Sequence, residues 1–123
     1  MSSSSRILIV DDEPDSLFIL STILNSKGYV TYTISNPGEL YGVMKAFQPH
    51  LLIMDVKMGE FDGRKLCRDL KNDANNSSIK VILYSAFPEV KEQLEVCGAN
   101  GFILKPAKAE DILDVIGREL DLL

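Results

Sequence analysis

The chain has 123 residues, 46% of them apolar and 25% charged, with a net charge of −5. That is one ordinary globular domain, large enough to bury roughly two-thirds of its unfolded surface. Its cations, among them Lys27, Arg64, Lys65, Arg68, Lys71, Lys80, Lys91 and Arg118, are dispersed among acids. No basic stripe of the kind that grips phosphate backbones is present, so direct nucleic-acid contact is not expected.

The polar start Met1-Ser2-Ser3-Ser4-Ser5 precedes an apolar run, Ile7-Leu8-Ile9-Val10, too short for a signal-peptide core or a membrane helix. Ser2 excludes the glycine that myristoylation requires. The expectation is a flexible tail over 1–5, a single domain over 6–123, no membrane association and a cytoplasmic location. An unbroken apolar run without alternation predicts a strand covered on both faces, as in a parallel sheet. This first one runs directly into Asp11-Asp12.

Pro14 suits a first helical turn, and Leu17, Leu20 and Leu24, with Ile23 beside them, form a helical stripe that Lys27-Gly28 stops. Val30, Tyr32 and Ile34 alternate with Thr31, Thr33 and Ser35, which predicts a half-exposed strand at a sheet edge. Asn36-Pro37-Gly38-Glu39 reads as a helix start with a capping box. Leu40, Val43, Met44 and Phe47 make the buried face of that helix, and Gln48-Pro49 ends it. His50, the lone histidine, reads as a surface turn residue.

Leu51-Leu52-Ile53-Met54 is a second unbroken run, and it ends in Asp55. Open α/β sheets place their sites at such carboxyl-terminal strand ends. Asp62-Gly63 should cap a third helix burying Leu66, Cys67 and Leu70, which runs out in the turn-forming stretch Asn72–Ser78. Val81-Ile82-Leu83-Tyr84 ends in Ser85, and Pro88-Glu89 opens a helix with Val90, Leu94 and Cys97 inward. Gly98 and Gly101 bracket the turn into Phe102-Ile103-Leu104, which ends in Lys105-Pro106. A last helix points Ile112, Val115, Ile116 and Leu120 inward. Cys67 and Cys97 read as reduced, partly buried thiols.

Strand and helix alternate five times with short connections, the pattern of a parallel sheet sandwiched by helices. No G-x-G-x-x-G follows the first strand, which counts against a dinucleotide site. If the first and third strands are neighbours, Asp11, Asp12 and Asp55 converge. Their mutual repulsion then calls for a hard divalent ion, and Mg²⁺ takes one or two carboxylates while keeping waters for a phosphate. Lys105 adds fixed positive charge and Ser85 a hydroxyl, so the strand ends suit a phosphoryl group attacked in line by a carboxylate. Blander roles compete: Asp55, Asp11 and Asp12 as helix caps, Ser85 as a partner for backbone, Lys105 as a solvated charge.

Asp11-Asp12, Asp55, Ser85 and Lys105-Pro106, in this order and spacing, closely resemble the receiver domain of two-component response regulators. The resemblance runs from Arg6 to Leu120, and Gly98-Ala99-Asn100-Gly101-Phe102 also looks like that family's approach to its last strand. It implies a doubly wound, flavodoxin-like (βα)5 fold with strand order 2-1-3-4-5. It implies that Asp55 accepts a phosphoryl group from a histidine kinase, a phosphotransfer protein or a small phosphodonor. Mg²⁺ would be held by Asp12, Asp55 and the backbone carbonyl of Lys57, with Asp11 acting through water. Ser85 and Lys105 would contact the phosphoryl oxygens, and Lys105-Pro106 would be cis. Ser85 and Phe102 would form the switch, and the surface of the last two helices and last strand, with Val90, Lys91, Gln93, Glu110 and Asp114, would dock an output partner or a second copy.

The sequence departs from the family at Gly59, where Pro is common, and at Phe102, which lacks the hydroxyl of the common Tyr. Lys57 and Phe87 match positions that tune hydrolysis of the acyl phosphate, and a bulky Phe87 predicts a longer-lived phosphoryl state. Two other readings stay open. One is a Mg²⁺-dependent aspartyl-phosphate hydrolase of a small substrate, the other a pseudo-receiver that only binds a partner. A single-domain regulator and the receiver of a longer protein are equally compatible with the sequence.

Overall fold

The apolar runs become the strands of one parallel sheet in the computed structural model, which describes residues 5–121. In chain order the elements are β1 (Arg6–Val10), α1 (Pro14–Ser26), β2 (Val30–Ile34), α2 (Leu40–Phe47), β3 (Leu51–Asp55), β4 (Lys57–Met58), β5 (Phe61–Asp62), α3 (Gly63–Lys71), β6 (Lys80–Ser85), α4 (Leu94–Cys97), β7 (Gly101–Leu104) and α5 (Ala109–Leu120). Short 3₁₀ segments at Pro37–Glu39 and Pro88–Gln93 lead into α2 and α4.

The large sheet has the order β2-β1-β3-β6-β7, all parallel. With β4 and β5 set aside as a separate two-residue hairpin, this is the doubly wound order 2-1-3-4-5. Alternate strand residues feed two cores. Leu8, Val10, Leu52, Met54, Val81 and Leu83 pack on the side covered by α2, α3 and α4. Ile7, Ile9, Leu51, Ile53 and Ile82 pack on the side covered by α1 and α5. With both faces covered, the inner positions Ile7–Val10, Leu51–Met54 and Val81–Leu83 of the central strands are all apolar, which is why the runs show no alternation.

Leu17, Leu20 and Leu24 are buried on α1, and Gly28 beyond its end has φ 92°. The expected edge position of β2 holds, but of its three alternating apolar residues only Ile34 reaches the core. Val30 and Tyr32 are 45% and 49% exposed, and Tyr32 lies against the Phe47 ring with centroids 5.6 Å apart. At the start of α2, the Asn36 side chain accepts from the Gly38 N–H at 2.9 Å, and α2 ends on Gln48 in a left-handed conformation, φ 53°.

His50 is more than a surface turn residue. Its Nδ1 accepts from the Arg6 N–H at 2.9 Å, while its own N–H donates to the Arg6 carbonyl, also at 2.9 Å. The ring thus extends the β1–β3 ladder by one rung. The stretch after Ser85 also differs from expectation. From Pro88 to Gln93 it is 3₁₀, and only the single turn Leu94–Cys97 is α-helical. Val90 and Cys97 are buried and Leu94 half-buried, while the other residues of the segment are exposed. That is little tertiary packing to enforce an α-helix. Val90, expected on the output surface, is a core residue.

Of the flexible tail expected over 1–5, residues 1–4 lie outside the described residues, and Ser5 is instead tied to the sheet. Ser5 is buried, and its carbonyl accepts from the Val30 N–H at 3.0 Å. No helix among the described residues is long and apolar enough to cross a membrane.

Candidate functional site

The register of the sheet carries Asp11, Asp55, Ser85 and Lys105 to one edge. Val10 pairs with Met54, Asp55 with Tyr84, and Ser85 with Leu104, so the residues that follow or end these strands emerge side by side. Carboxylate oxygens of Asp11, Asp12 and Asp55 lie within 4.8 Å of one another.

Asp11 is buried. Its Oδ1 accepts from the Glu13 N–H at 2.9 Å, which positions the start of α1, whereas Oδ2 has no hydrogen-bond partner. The Lys105 ammonium is 3.5 Å from that Oδ2, an ion-pair contact too long for a good hydrogen bond. Burial raises the Asp11 carboxyl above its ordinary value, against the lowering by the Glu13 N–H and Lys105, and Asp55 adds to the rise. Asp12 is exposed. The residue at the N-cap of α1 is Glu13, and no side chain caps that helix, so neither Asp11 nor Asp12 is spent as its cap.

Lys105 donates to Asp55 Oδ2 at 3.1 Å. Burial disfavours its charge, but the Asp55 hydrogen bond and the fields of Asp11 and Asp55 outweigh that and raise its pKa. Its N–H donates to the Ser85 carbonyl at 2.8 Å, and the Lys105-Pro106 peptide is cis. Ser85 is buried, and its Oγ accepts from the Phe87 N–H at 3.0 Å, so its own proton remains free to donate elsewhere.

A set of clustered carboxylate oxygens, one of them buried without a hydrogen bond, fits a small hard cation. Lys57 stands two residues beyond Asp55 in the β4–β5 hairpin, its side chain exposed. Phe102 is not part of the cluster. It is half-buried in β7 and packs into the core on the α2–α3–α4 side.

The comparisons with known proteins agree with this geometry. Residues 7–117 match the family described as response regulator receiver domain. The chain belongs to that family. Receiver domains are signalling modules of two-component systems. A crystallised receiver domain of a signal transduction histidine kinase from Syntrophus aciditrophicus is 35% identical, with a TM-score of 0.88 over 98% of this chain and 92% of that one. The regulatory protein AtoC of Escherichia coli is 31% identical over 124 residues, and PilH of Pseudomonas aeruginosa 29% over 118. The chain spans 98% of PilH but only 26% of AtoC and 18% of the protein RcaC of Microchaete diplosiphon.

Two parts of the receiver site were not legible as such. Tyr84 reads in sequence as one more strand residue, yet its ring lies 4.4 Å below the Lys105 ammonium, a cation–π contact that helps aim it. Burial raises the Tyr84 hydroxyl pKa, opposed by Lys105 and reinforced by Asp11 and Asp55. Gly63 reads as part of a helix cap, and the Asp62 carboxylate does cap α3 through the Arg64 N–H at 2.9 Å. The Gly63 N–H also donates to the Val56 carbonyl at 2.6 Å, and a Cβ there would collide with the Asp55 carbonyl. Glycine is what lets α3 start directly against the end of β3.

Proposed function

We infer that this receiver is a phosphorylation-operated switch of a phosphorelay, with Asp55 as phosphoacceptor. The observation that carries it is the Lys105–Asp55 ion pair at 3.1 Å, beside two further carboxylates within 4.8 Å of the same oxygens. Asp12, Asp55 and the Lys57 carbonyl would hold Mg²⁺, with Asp11 acting through water. When bound, that ion supplies charge neutralisation to the carboxylates and the incoming phosphoryl oxygens.

An Asp55 carboxylate oxygen attacks phosphorus as the bond to the leaving group breaks. With a phosphohistidine donor on a histidine kinase or phosphotransfer protein, the electron pair of the N–P bond leaves with the imidazole, which is left neutral or takes a proton. Lys105 then pairs with a phosphoryl oxygen instead of the free carboxylate. The Ser85 hydroxyl donates to another and draws the backbone at Phe87 with it, and Phe102 repacks behind. Phe87, 49% exposed at the rim, shields the acyl phosphate and lengthens its life. The exposed residues Lys91, Gln93, Glu110 and Asp114 lie on the face that changes, which docks an output partner or a second copy in the cytoplasm.

Incubation with acetyl phosphate and Mg²⁺ should add one phosphoryl group by intact mass to the wild type and none to Asp55→Ala. An unmodified wild type, or a modified Asp55→Ala, would overturn the assignment.

A further inference from the structure

Cys67 and Cys97 take no part in the Asp55 site. Both are free thiols, Cys67 fully buried on the inner face of α3 and Cys97 5% exposed at the end of α4. The Cys67 thiol donates to the Cys97 carbonyl at 3.3 Å, across the contact between the two helices. Burial first, then the charge of and a hydrogen bond to the Cys97 thiol, push Cys67 up to about 12. The Cys97 thiol donates back to the Leu94 carbonyl of its own turn at 3.5 Å, so the two cysteines meet side chain to backbone, and pairing the sulfurs needs the Cys97 side chain to turn from Leu94 toward α3.

On the outer side of this contact a cavity of about 390 Å³ opens to solvent, lined by Arg64, Lys65, Arg68, Val96 and Cys97. Cys97 is thus reachable from outside and Cys67 only from Cys97. The single-turn α4 and the 3₁₀ segment before it are held by few buried side chains, so local opening there costs less than opening the sheet.

We propose that Cys67 and Cys97 are a redox pair that a peroxide closes into an intramolecular disulfide tying α3 to α4. The Cys97 sulfur attacks one oxygen of hydrogen peroxide and the O–O bond breaks. The leaving hydroxide takes the thiol proton and departs as water, leaving a sulfenic acid. The Cys67 sulfur then attacks the Cys97 sulfur and the S–O bond breaks, the hydroxide leaving with the Cys67 proton as a second water. Two electrons pass from the thiols to the peroxide. Access sets the order: Cys97 borders the solvent cavity and initiates, whereas Cys67, wholly buried behind it, resolves. The bond fixes the helix that follows the Ser85–Phe87 turn against α3, and its formation does not depend on the chemistry of Asp55.

The full-length chain is treated with hydrogen peroxide, denatured, alkylated with iodoacetamide and weighed intact. The wild type should lose two hydrogens, stay monomeric and take up no alkyl group, and non-reducing digestion should join the Cys67 peptide to the Cys97 peptide. Cys67→Ala should stop at a sulfenic acid on Cys97 that dimedone traps, while Cys97→Ala should leave Cys67 unoxidised. Full alkylation of both thiols in the peroxide-treated wild type, disulfides only between chains, or oxidation of Cys67 in Cys97→Ala as fast as in the wild type would each overturn the proposal.

Discussion

Replacing Asp12 by Asn should stabilise the metal-free protein, because the acids at the strand ends outnumber their cation. Like charges at the 4.8 Å limit of this cluster repel by about 3.5 kcal/mol at an effective dielectric of ~20 and about 1 kcal/mol in water. Lys105 offsets that repulsion at Asp55, 3.1 Å away, and at Asp11, 3.5 Å away. Among the described residues no cation lies within ion-pair distance of Asp12. Since Asp12 is exposed, the screened end of the range applies, and losing its two repulsions is worth about 1–2 kcal/mol. For a domain of this size that raises Tm by roughly 3–8 °C. Asp55→Asn removes as many repulsions but also forfeits the Lys105 pair, so its gain is smaller. The assay is thermal unfolding followed by circular dichroism in EDTA at low salt, repeated at about 1 M NaCl, where screening over roughly 3 Å should shrink the difference. A Tm for Asp12→Asn that is unchanged or lowered at low salt, or a larger gain from Asp55→Asn, would refute the reasoning.

Gly63→Ala should destabilise the fold by about 1–3 kcal/mol, an overpacking cost, and slow phosphorylation by acetyl phosphate, since the new methyl displaces the Asp55 carbonyl; urea unfolding and intact mass measure the two effects. His50→Ala leaves the part-buried Arg6 N–H without its acceptor and should cost about 1 kcal/mol in the same urea titration. The Arg64 hydrogen bonds hold the Asp62 carboxyl below 3.8, so its stabilising contribution is present above that value and lost as pH falls through the lowered one. Arg64→Gln should therefore move the acid-unfolding midpoint to higher pH. Asp11 has the opposite sign: its raised pKa means that the folded chain binds this proton more tightly, so stability in EDTA should fall as pH rises through that raised value. The slope should vanish in Asp11→Asn.

The architecture and the acid cluster were legible because each leaves a local trace. A strand buried on both faces must be apolar throughout, as Leu51–Met54 is, and the first polar residue after such a run must stand at the sheet's edge. Repeated at Asp11, Asp55, Ser85 and Lys105, that rule marks four polar strand exits, and their convergence follows from the adjacency of β1, β3, β6 and β7 in the sheet. What stayed hidden depends on partners distant in sequence. The Arg6–His50 rung, Tyr84 under Lys105 and the room left by Gly63 against Asp55 are meetings of separate segments, and no periodicity announces them. The 3₁₀ path of Pro88–Gln93 was missed for a related reason. Val90, Leu94 and Cys97 have helical spacing, but spacing records which residues point inward, not how much packing they gain.

That thin packing has a consequence for how the site can communicate. Asp11 and Asp55 sit on strand ends whose preceding residues are wholly buried and paired on both sides, so charge added there meets a stiff wall. Ser85 is different. Its Oγ is the acceptor for the Phe87 N–H, and Phe87 is the residue from which the 3₁₀ segment starts, with no side-chain cap of its own. If Ser85 turns to donate to a phosphoryl oxygen, the one side-chain bond at the head of that segment is altered. In the segment behind it, Val90, Leu94 and Cys97 are the residues that pack into the core, and the rest are exposed. If Asp55 is phosphorylated as proposed, the compliant route runs from Ser85 through Phe87 toward α4, and the Arg64–Gln93 hydrogen bond at 2.6 Å is a contact across to α3 that movement along it would strain or break.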